Sequence, residues 1–253
     1  MTVSKPLPER MRPDDLALFL GQSHLADRLR SIMKSGRLPS LLLFGPPGCG
    51  KSTLALLLAK SSGKPYLRLS APEAGLQHLR RSLTGVEILV LDELHRFSKA
   101  QQDFFLPLVE SGELTLLATT TENPSFSVTR QLLSRLHVLR LRPLGRAELM
   151  ELARRGASDL QLPMSDDVAD LLAGVSHGDA RTFTEVLGIV VFRPREGKAL
   201  AVRSLEEISV AYGSVDEAGV DTAGLEVEEG FGGLAIADEG GTQLHPVVTR
   251  ILF

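Results

Sequence analysis

The chain has 253 residues, with 28 Lys and Arg against 31 Asp and Glu for a net charge of −3, and 43% of its residues are hydrophobic. These proportions are typical of a globular cytosolic protein with one large domain or two modest ones. The longest apolar runs fall well short of the roughly 20 residues of a membrane-spanning helix, and the polar, Pro-rich start lacks the apolar segment of a secretory signal. The single cysteine, Cys49, excludes an internal disulfide and a Cys-rich zinc site.

The charge is unevenly distributed along the chain. Residues 214–253 carry eight acidic residues and one basic residue, a charge of −7, and the preceding 213 residues therefore carry +4. Seven glycines interrupt this acidic segment, so we expect a poorly ordered tail. The charge of the preceding part is too small to indicate a dedicated DNA-binding surface, and two Tyr and no Trp offer little for stacking on single strands.

The first 143 residues predict an α/β domain. A helical pattern over 14–35 precedes a short apolar run at 40–44, a tight Gly-Pro turn and a Leu- and Ala-rich helix over 51–60. Four similar apolar runs follow, at residues 65–69, 86–91, 114–119 and 137–141. Five strands alternating with helix-compatible stretches predict a parallel sheet covered on both faces.

The pattern changes after Pro143. Residues 146–160, 165–175 and 179–191 show helical periodicity, and a capping box at 204–207 predicts one more short helix. We therefore expect a small helical domain over 144–213, followed by the acidic tail at 214–253.

A phosphate-binding loop is predicted between the first strand and its helix. Residues 45–52 fit G-x4-G-K-[ST] without a mismatch, and they are Gly45, Pro46, Pro47, Gly48, Cys49, Gly50, Lys51 and Ser52. Glycines let backbone amides converge on phosphates at the positive end of a helix, Lys51 neutralises phosphate charge and the Ser52 hydroxyl ligates Mg²⁺. Thr53 completes the predicted ATP site. The alternative is a glycine turn with an exposed lysine. Cys49 is either a reactive thiol or a residue that contributes only its backbone N–H to the phosphate, and we favour the second alternative.

An acidic pair ends the third predicted strand. Asp92 at the strand end is suited to holding the Mg²⁺ shell, and Glu93 is suited to activating the attacking water. A nucleotide switch without hydrolysis would not need a general base there, so the pair favours an ATPase. The Thr119–Thr121 segment after the next strand supplies a polar residue to position that water.

Two arginines and a histidine are further candidates. Arg135 precedes the last strand and is either solvated or a finger that reaches the γ-phosphate of a neighbour. Arg181 follows Asp179, a predicted N-cap in the helical domain, and is a candidate to face the nucleotide. His95 either links nucleotide state to a partner or bonds locally in its loop.

Several longer motifs point to one family. D-E-L-H-R-F-S-K-A-Q-Q-D at 92–103, T-T-E-N-P-S-F at 120–126, L-L-S-R at 132–135 and the stretches at 6–13 and 21–25 resemble the replication-associated recombination protein A family of AAA+ ATPases. These bacterial proteins are related to the eukaryotic Werner-helicase-interacting ATPase. The resemblance runs from about residue 5 to 213.

The resemblance implies residue roles. Lys51 and Ser52 become the Walker A pair and Asp92 and Glu93 the Walker B pair. Thr120 is the preferred sensor 1 residue, with Thr121 and Asn123 as rivals. The remaining implied roles are an arginine finger at Arg135, a sensor 2 arginine at Arg181, and residues that flank the adenine at Arg12, Pro13, Leu20, Gly21 and Gln22.

The resemblance also implies DNA-stimulated ATP hydrolysis at stalled replication forks, in the nucleoid, with DNA and single-stranded DNA-binding protein as partners. The family's long C-terminal oligomerisation region has no counterpart in 214–253, so we expect a short member with weakened homo-oligomer formation. Two alternatives stay open. One is a Holliday-junction motor or clamp-loader subunit, against which the H-R-F and T-E-N-P-S-F segments weigh. The other is a non-hydrolysing ATP-binding regulator or truncated remnant.

Overall fold

A computed structural model describes residues 5–70, 76–160, 164, 166–191 and the four pairs 194–195, 198–199, 215–216 and 219–220. These residues form two compact units. The first, called here the sheet unit, is Arg12–Leu144, and the second, called the helical unit, joins the described residues up to Met11 with those from Gly145 onward. The capping box at 204–207 and most of the acidic segment lie outside the described residues.

The sheet unit contains a five-stranded sheet in which every pairing is parallel. Its strands are β1 (Leu41–Phe44), β2 (Tyr66–Ser70), β3 (Ile88–Asp92), β4 (Thr115–Thr120) and β5 (His137–Arg140), in the order β2-β3-β4-β1-β5. Each lies within two residues of its predicted bounds. The predicted α/β fold is therefore confirmed, and the order places the end of β1 beside the end of β4.

Two buried clusters cover the two faces of this sheet. Leu41 and Leu43 of β1 pack with Leu54 and Leu58 of α3 (Lys51–Ser61), whereas Leu42 belongs to the cluster on the other face. Successive side chains of a strand point to opposite faces, so an uninterrupted Leu run is what a doubly covered strand requires. Each fully buried Leu contributes about 1.5–3 kcal/mol.

The other helices of the sheet unit are mostly short. They are α2 (Ala26–Lys34), α4 (Leu76–Ser82), α5 (Lys99–Phe104), α6 (Leu106–Ser111), α7 (Pro124–Ser127) and α8 (Arg130–Leu133). Three 3-10 turns, Leu16–Leu18, Ser23–Leu25 and Leu94–Arg96, complete the unit.

The predicted helix over 14–35 is wrong in its first half. Only α2 is α-helical there, and the two 3-10 turns before it are separated by Gly21 at φ 77° and Gln22 at φ 59°. Two successive residues in the left-handed region cannot continue a right-handed helix. The apolar spacing of three and four is nevertheless satisfied, because Leu25 and Leu29 are buried on the α3 side.

The helical unit contains α9 (Arg146–Asp159), α10 (Asp166–Ser176) and α11 (Ala180–Val191), each within two residues of prediction. Helix α1 (Leu7–Arg10) belongs with them, whereas the sequence places it in the first domain. Arg10 forms an ion pair with Asp159, and a Cβ at Gly156 would collide with Leu187 and lie 3.1 Å from the Met11 Cε. Because Gly156 has no side chain, Met11 and Leu187 can both pack close to the α9 backbone at this point.

Four two-residue strands form two antiparallel pairs: β6 (Pro194–Arg195) with β7 (Lys198–Ala199), and β8 (Val215–Asp216) with β9 (Gly219–Val220). Over the described part of the chain, the helices lack the combination of length and apolarity that a membrane span needs.

Candidate functional site

The predicted site lies at the carboxyl edge of the sheet, where β1, β3 and β4 end side by side. Phe44 is in register with Thr120, and Leu91 with Ala118. The amide of Gly45, the first residue after β1, donates to the Thr120 carbonyl at 3.3 Å. The phosphate loop, residues 45–52, therefore begins next to the polar end of β4, one strand away from the acidic pair.

Glycine conformations shape the end of the phosphate loop. Gly48 has φ 63° and Gly50 has φ 92°, values that side-chain-bearing residues rarely adopt. Gly50 is the N-cap of α3 and makes no side-chain cap hydrogen bond, and a helix start of this kind can present backbone amides to an anion. A Cβ at Gly50 would lie 2.9 Å from two atoms of the Phe19 ring, which packs directly over the loop.

Lys51 is buried against the loop itself, with 8% of its surface exposed. Its Nζ donates to the carbonyls of Gly45 at 2.8 Å and Pro46 at 2.6 Å. These bonds hold the ammonium inside the loop, where it can neutralise a phosphate. Cys49 is 1% exposed, and its Sγ accepts a hydrogen bond from Lys51 Nζ at 3.9 Å. Its thiol is therefore not accessible, and a contribution of the backbone N–H alone stays a prediction.

The donor set fits a Mg²⁺-nucleotide. Ser52 and Thr53 are half-buried in the first turn of α3, directly after Lys51. The part of the chain that the structure describes contains no cluster of three or more His, Cys, Asp or Glu able to hold a metal alone. Mg²⁺ in phosphate sites uses one or two protein oxygens together with the phosphates, which Ser52 and Asp92 can supply.

Asp92 is buried at the end of β3 and is held at both carboxylate oxygens. Arg68 of β2 donates to Oδ2 from Nε at 3.0 Å and from Nη2 at 2.7 Å. The Thr119 hydroxyl donates to Oδ1 at 3.2 Å. The carboxylate is thus neutralised by one cation and oriented by two neighbouring strands.

Glu93 leaves the strand in a left-handed conformation, with φ 59° and ψ 54°. For a residue with a side chain this conformation costs about 1–2 kcal/mol. The Glu93 amide donates to the Thr119 hydroxyl at 3.1 Å, and its Oε2 accepts from Arg96 Nε at 2.7 Å. The backbone of the predicted general base is therefore held by β4, and its side chain is paired at the surface.

The three candidates for sensor 1 differ in position. Thr120 is fully buried, and its Oγ1 lies 3.1 Å from His95 Nδ1 and accepts from the Glu122 amide at 3.1 Å. Thr121 is exposed, and Asn123 caps α7 by accepting from the Ser125 amide. Thr120 is the one whose backbone contacts the phosphate loop. The His95 ring therefore bonds outside its own loop, to the end of β4.

The residues predicted to flank the adenine all lie in the sheet unit, where Arg12, Pro13, Leu20 and Gly21 are half-buried. Gln22 is buried, and its Nε2 donates to the Arg142 carbonyl at 2.7 Å and the Cys49 carbonyl at 3.3 Å. The Gln22 Oε1 accepts from the Arg142 amide at 2.9 Å. Gln22 therefore links the phosphate loop to the segment after β5.

The two predicted arginines lie in different units. Arg135, after α8, is exposed, forms an ion pair with Glu110 and donates to the Gln131 carbonyl at 2.7 Å. Arg181 is exposed in the first turn of α11, where Asp179 caps the helix as predicted by accepting from the amides of residues 181 and 182.

Sequence reasoning missed the contacts that three residues make with the acidic pair, namely Arg68, Arg96 and Thr119. A cation inside the predicted strand 65–69, close to its carboxyl end, is a usable signal, because parallel strands bring their carboxyl ends to one edge. Thr119 was noticed only as part of a Thr run, and no pattern distinguishes it from Thr120.

Comparison with known proteins places this arrangement in a known group. Residues 11–135 match the family model of the P-loop domain of the Holliday junction DNA helicase RuvB. The replication-associated recombination protein A of Escherichia coli strain K12 is 37% identical over 196 residues, 70% of this chain and 44% of that protein. The ATPase WRNIP1 of Dictyostelium discoideum is 36% identical over 224 residues, 81% of this chain and 26% of that protein.

Solved structures agree with the fold. The RuvB Holliday junction branch migration motor of Thermotoga maritima superimposes with a TM-score of 0.65 at 30% identity, covering 71% of this chain and 65% of that chain. The chain spans between 26% and 50% of the length of the curated relatives that it matches.

Proposed function

This chain belongs to the replication-associated recombination protein A and Werner-helicase-interacting family of AAA+ ATPases, and we propose that it binds and hydrolyses ATP in the maintenance of replication forks. One observation carries the hydrolytic part of the proposal. The phosphate loop with buried Lys51 and the acidic pair of Asp92 and Glu93 lie at the same edge of one sheet, linked through β4.

Each group at this edge then has a task. The α3 amides and Lys51 bind the phosphates, and Ser52 and Asp92 hold Mg²⁺, which neutralises phosphate charge. Glu93 takes a proton from the attacking water after its carboxylate leaves Arg96. The buried Thr120 orients that water as sensor 1. Water attack on the γ-phosphorus then releases ADP and phosphate.

The central experiment is phosphate release by the purified protein with no DNA and with single-stranded, duplex and fork DNA. We expect turnover that fork DNA stimulates and that Glu93→Gln lowers about 100-fold or more, with fluorescent ADP still bound. Glu87→Gln is the matched control, because Glu87 lies beyond the opposite end of β3 in an exposed pair with Lys64. Lys51→Ala should lose both turnover and ADP binding.

Two results would overturn parts of this proposal. No turnover by the wild-type chain at any protein concentration contradicts hydrolysis and favours the non-hydrolysing regulator. Turnover that DNA leaves unchanged contradicts the fork function.

A Holliday-junction motor is the second candidate, favoured by the match of residues 11–135 to the RuvB P-loop domain. Four-way-junction DNA discriminates between the two. If the protein is a Holliday-junction motor, its ATP turnover should be stimulated more by the junction than by the fork, and it should move the branch point. Stimulation by the fork alone supports the first proposal.

The assignment of Arg135 as an in-trans finger is a proposal about assembly. It requires release of Arg135 from Glu110, and a homo-oligomer in which Arg135 reaches the next subunit. Light scattering with and without ATP and DNA measures whether the chain self-associates. Under self-associating conditions we expect Arg135→Ala to abolish turnover and Arg130→Ala, at the start of the short helix that precedes Arg135, to leave it unchanged. Equal turnover of both variants contradicts the finger.

Three further roles complete the proposal: Arg181 as sensor 2, the segments at 12–13 and 20–22 as the adenine-flanking residues, and single-stranded DNA-binding protein as a nucleoid partner. Arg181→Ala should lower turnover with little effect on ADP affinity, measured by fluorescent-ADP titration. Co-sedimentation with purified single-stranded DNA-binding protein tests the partner, and separate sedimentation contradicts it.

A further inference from the structure

The Thr119 hydroxyl is the one described side-chain group that bonds both members of the acidic pair. It lies at the end of β4 with 1% of the residue exposed, donates to Asp92 Oδ1 at 3.2 Å and accepts from the Glu93 amide at 3.1 Å. Thr120, equally buried, bonds His95 and the amide of Glu122 instead. The two threonines therefore support different parts of the site.

The chemistry of a hydroxyl fixes the direction of both bonds. A hydroxyl has one proton and two lone pairs. The Glu93 amide can only donate, so it occupies a lone pair, and the hydroxyl proton is directed at the Asp92 carboxylate. Valine, which has the shape of threonine, makes neither bond, because the methyl group that replaces the hydroxyl neither donates nor accepts.

Thr119 therefore sets two quantities that catalysis depends on. The first is the rotation of the Asp92 carboxylate, since Arg68 holds Oδ2 alone and leaves Oδ1 to Thr119. The second is the left-handed backbone of Glu93, whose amide would otherwise lose its partner at a buried strand end. Both the metal-holding carboxylate and the general base are oriented by one atom.

We propose that Thr119 is a positioning residue for ATP hydrolysis, coupling the placement of Mg²⁺ at Asp92 to the placement of the Glu93 carboxylate. The proposal rests on the hydrolytic function proposed above. The Thr119 hydroxyl is bonded to the two acidic residues and the residue is only 1% exposed. Its effect should therefore fall on kcat and on Mg²⁺ dependence, and not on the affinity for nucleotide without metal.

The test compares Thr119→Val, which keeps the shape and removes the hydroxyl, with Thr119→Ser, which keeps the hydroxyl. Thr115→Val makes the same change at the start of β4, four residues from the site. We expect Thr119→Val to lower kcat about tenfold with the KM for ATP within about twofold, and Thr119→Ser to recover most of the loss. Thr115→Val should match the wild type.

A binding measurement separates this inference from the hydrolytic proposal. Fluorescent-ADP affinity is measured in Mg²⁺ and in EDTA, and we expect Thr119→Val to reduce the gain that Mg²⁺ gives while the EDTA value stays unchanged. A wild-type chain that binds ADP without turnover overturns hydrolysis, and the Mg²⁺ gain still tests Thr119. Thr119→Ala replaces the valine variant if circular dichroism shows the latter unfolded.

Two outcomes overturn the inference. In one, the hydroxyl-free variant has the kcat and the Mg²⁺ gain of the wild type. In the other, Thr119→Ser is as impaired as Thr119→Val, which would mean that packing of the methyl group and not the hydroxyl is responsible.

Discussion

The two halves of the candidate site depend on different kinds of interaction. The phosphate loop relies on the backbone: glycine conformations, a helix start without a capping side chain, and carbonyls that hold Lys51. The acidic edge, Asp92 and Glu93 with Arg68, Thr119 and Arg96, uses side chain against side chain. The loop should thus be sensitive to backbone strain and, apart from Lys51 and Ser52, tolerant of side-chain identity, whereas the acidic edge should depend on the identity of its side chains.

Among the variants compared below, strain in the loop should have the largest combined effect on stability and ADP affinity. Gly50→Ala and Gly63→Ala both place a side chain at positive φ, 92° and 69°, at opposite ends of α3. Each should destabilise the fold by about 1–2 kcal/mol. Only Gly50→Ala, whose Cβ meets Phe19, should lower ADP affinity, by about tenfold in a fluorescence titration. An equal loss in both variants would mean that the loop conformation is not what binds phosphate.

A charge change tests the acidic edge. Arg68→Met leaves the buried Asp92 carboxylate without its cation and should cost about 1–3 kcal/mol in the free energy of unfolding. Lys64→Met removes the exposed partner of Glu87, just before the same two strands begin, and should cost less than about 1 kcal/mol.

A second test measures the thermal unfolding temperature, Tm, of the same two variants with and without nucleotide. Mg²⁺-ADP should raise the Tm of Arg68→Met more than that of the wild type, because a cation beside Asp92 replaces the lost charge. ADP in EDTA should not raise the Tm of Arg68→Met more than that of the wild type. Equal shifts in all conditions would place Mg²⁺ away from Asp92.

Releasing the Glu93 side chain should have a smaller effect. Arg96→Gln removes an ion pair between half-exposed residues three apart, so stability should change by less than about 0.5 kcal/mol. Turnover without DNA should rise by up to about threefold in a phosphate-release assay, because the carboxylate no longer leaves a cation to act. Arg30→Gln breaks a similar pair with Asp27 on α2 and should change neither quantity. A fall in turnover would assign Arg96 a supporting role instead.

The smallest effect on the site should come from the loop's own cysteine. Cys49→Ala removes a buried sulfur from the core cluster and should cost about 1 kcal/mol of stability. Its amide remains, so ADP affinity should stay within about twofold. A larger loss of affinity in the same titration would show that the thiol, and not only the backbone, serves the loop.

The strands and the loop were predictable because local patterns determine them. An uninterrupted apolar run such as Leu41–Phe44 signals a strand covered on both faces. The glycines around Lys51 define a conformation that few other residues adopt. The acidic pair was predictable for the same reason, since it directly follows a buried strand.

The remainder depends on contacts distant in sequence. Whether residues 14–35 form one helix or three pieces is decided by Gln22, which adopts positive φ and bonds Arg142 120 residues away. Arg68 reaches Asp92 across a strand pair, and Thr119 differs from Thr120 only in the face of β4 that it occupies. Periodicity does not encode which strand lies beside which.

The membership of α1 in the helical unit has a consequence for folding. The Arg10–Asp159 pair joins residues 149 apart in sequence, and closing a flexible loop of that length costs about 4 kcal/mol in chain entropy. The sheet unit lies entirely between those two residues as one contiguous segment. If the sheet unit folds first, the folded unit replaces the flexible loop. Helix α1 can then join α9, α10 and α11 after those helices have formed. The N-terminus would then be among the last parts to become native.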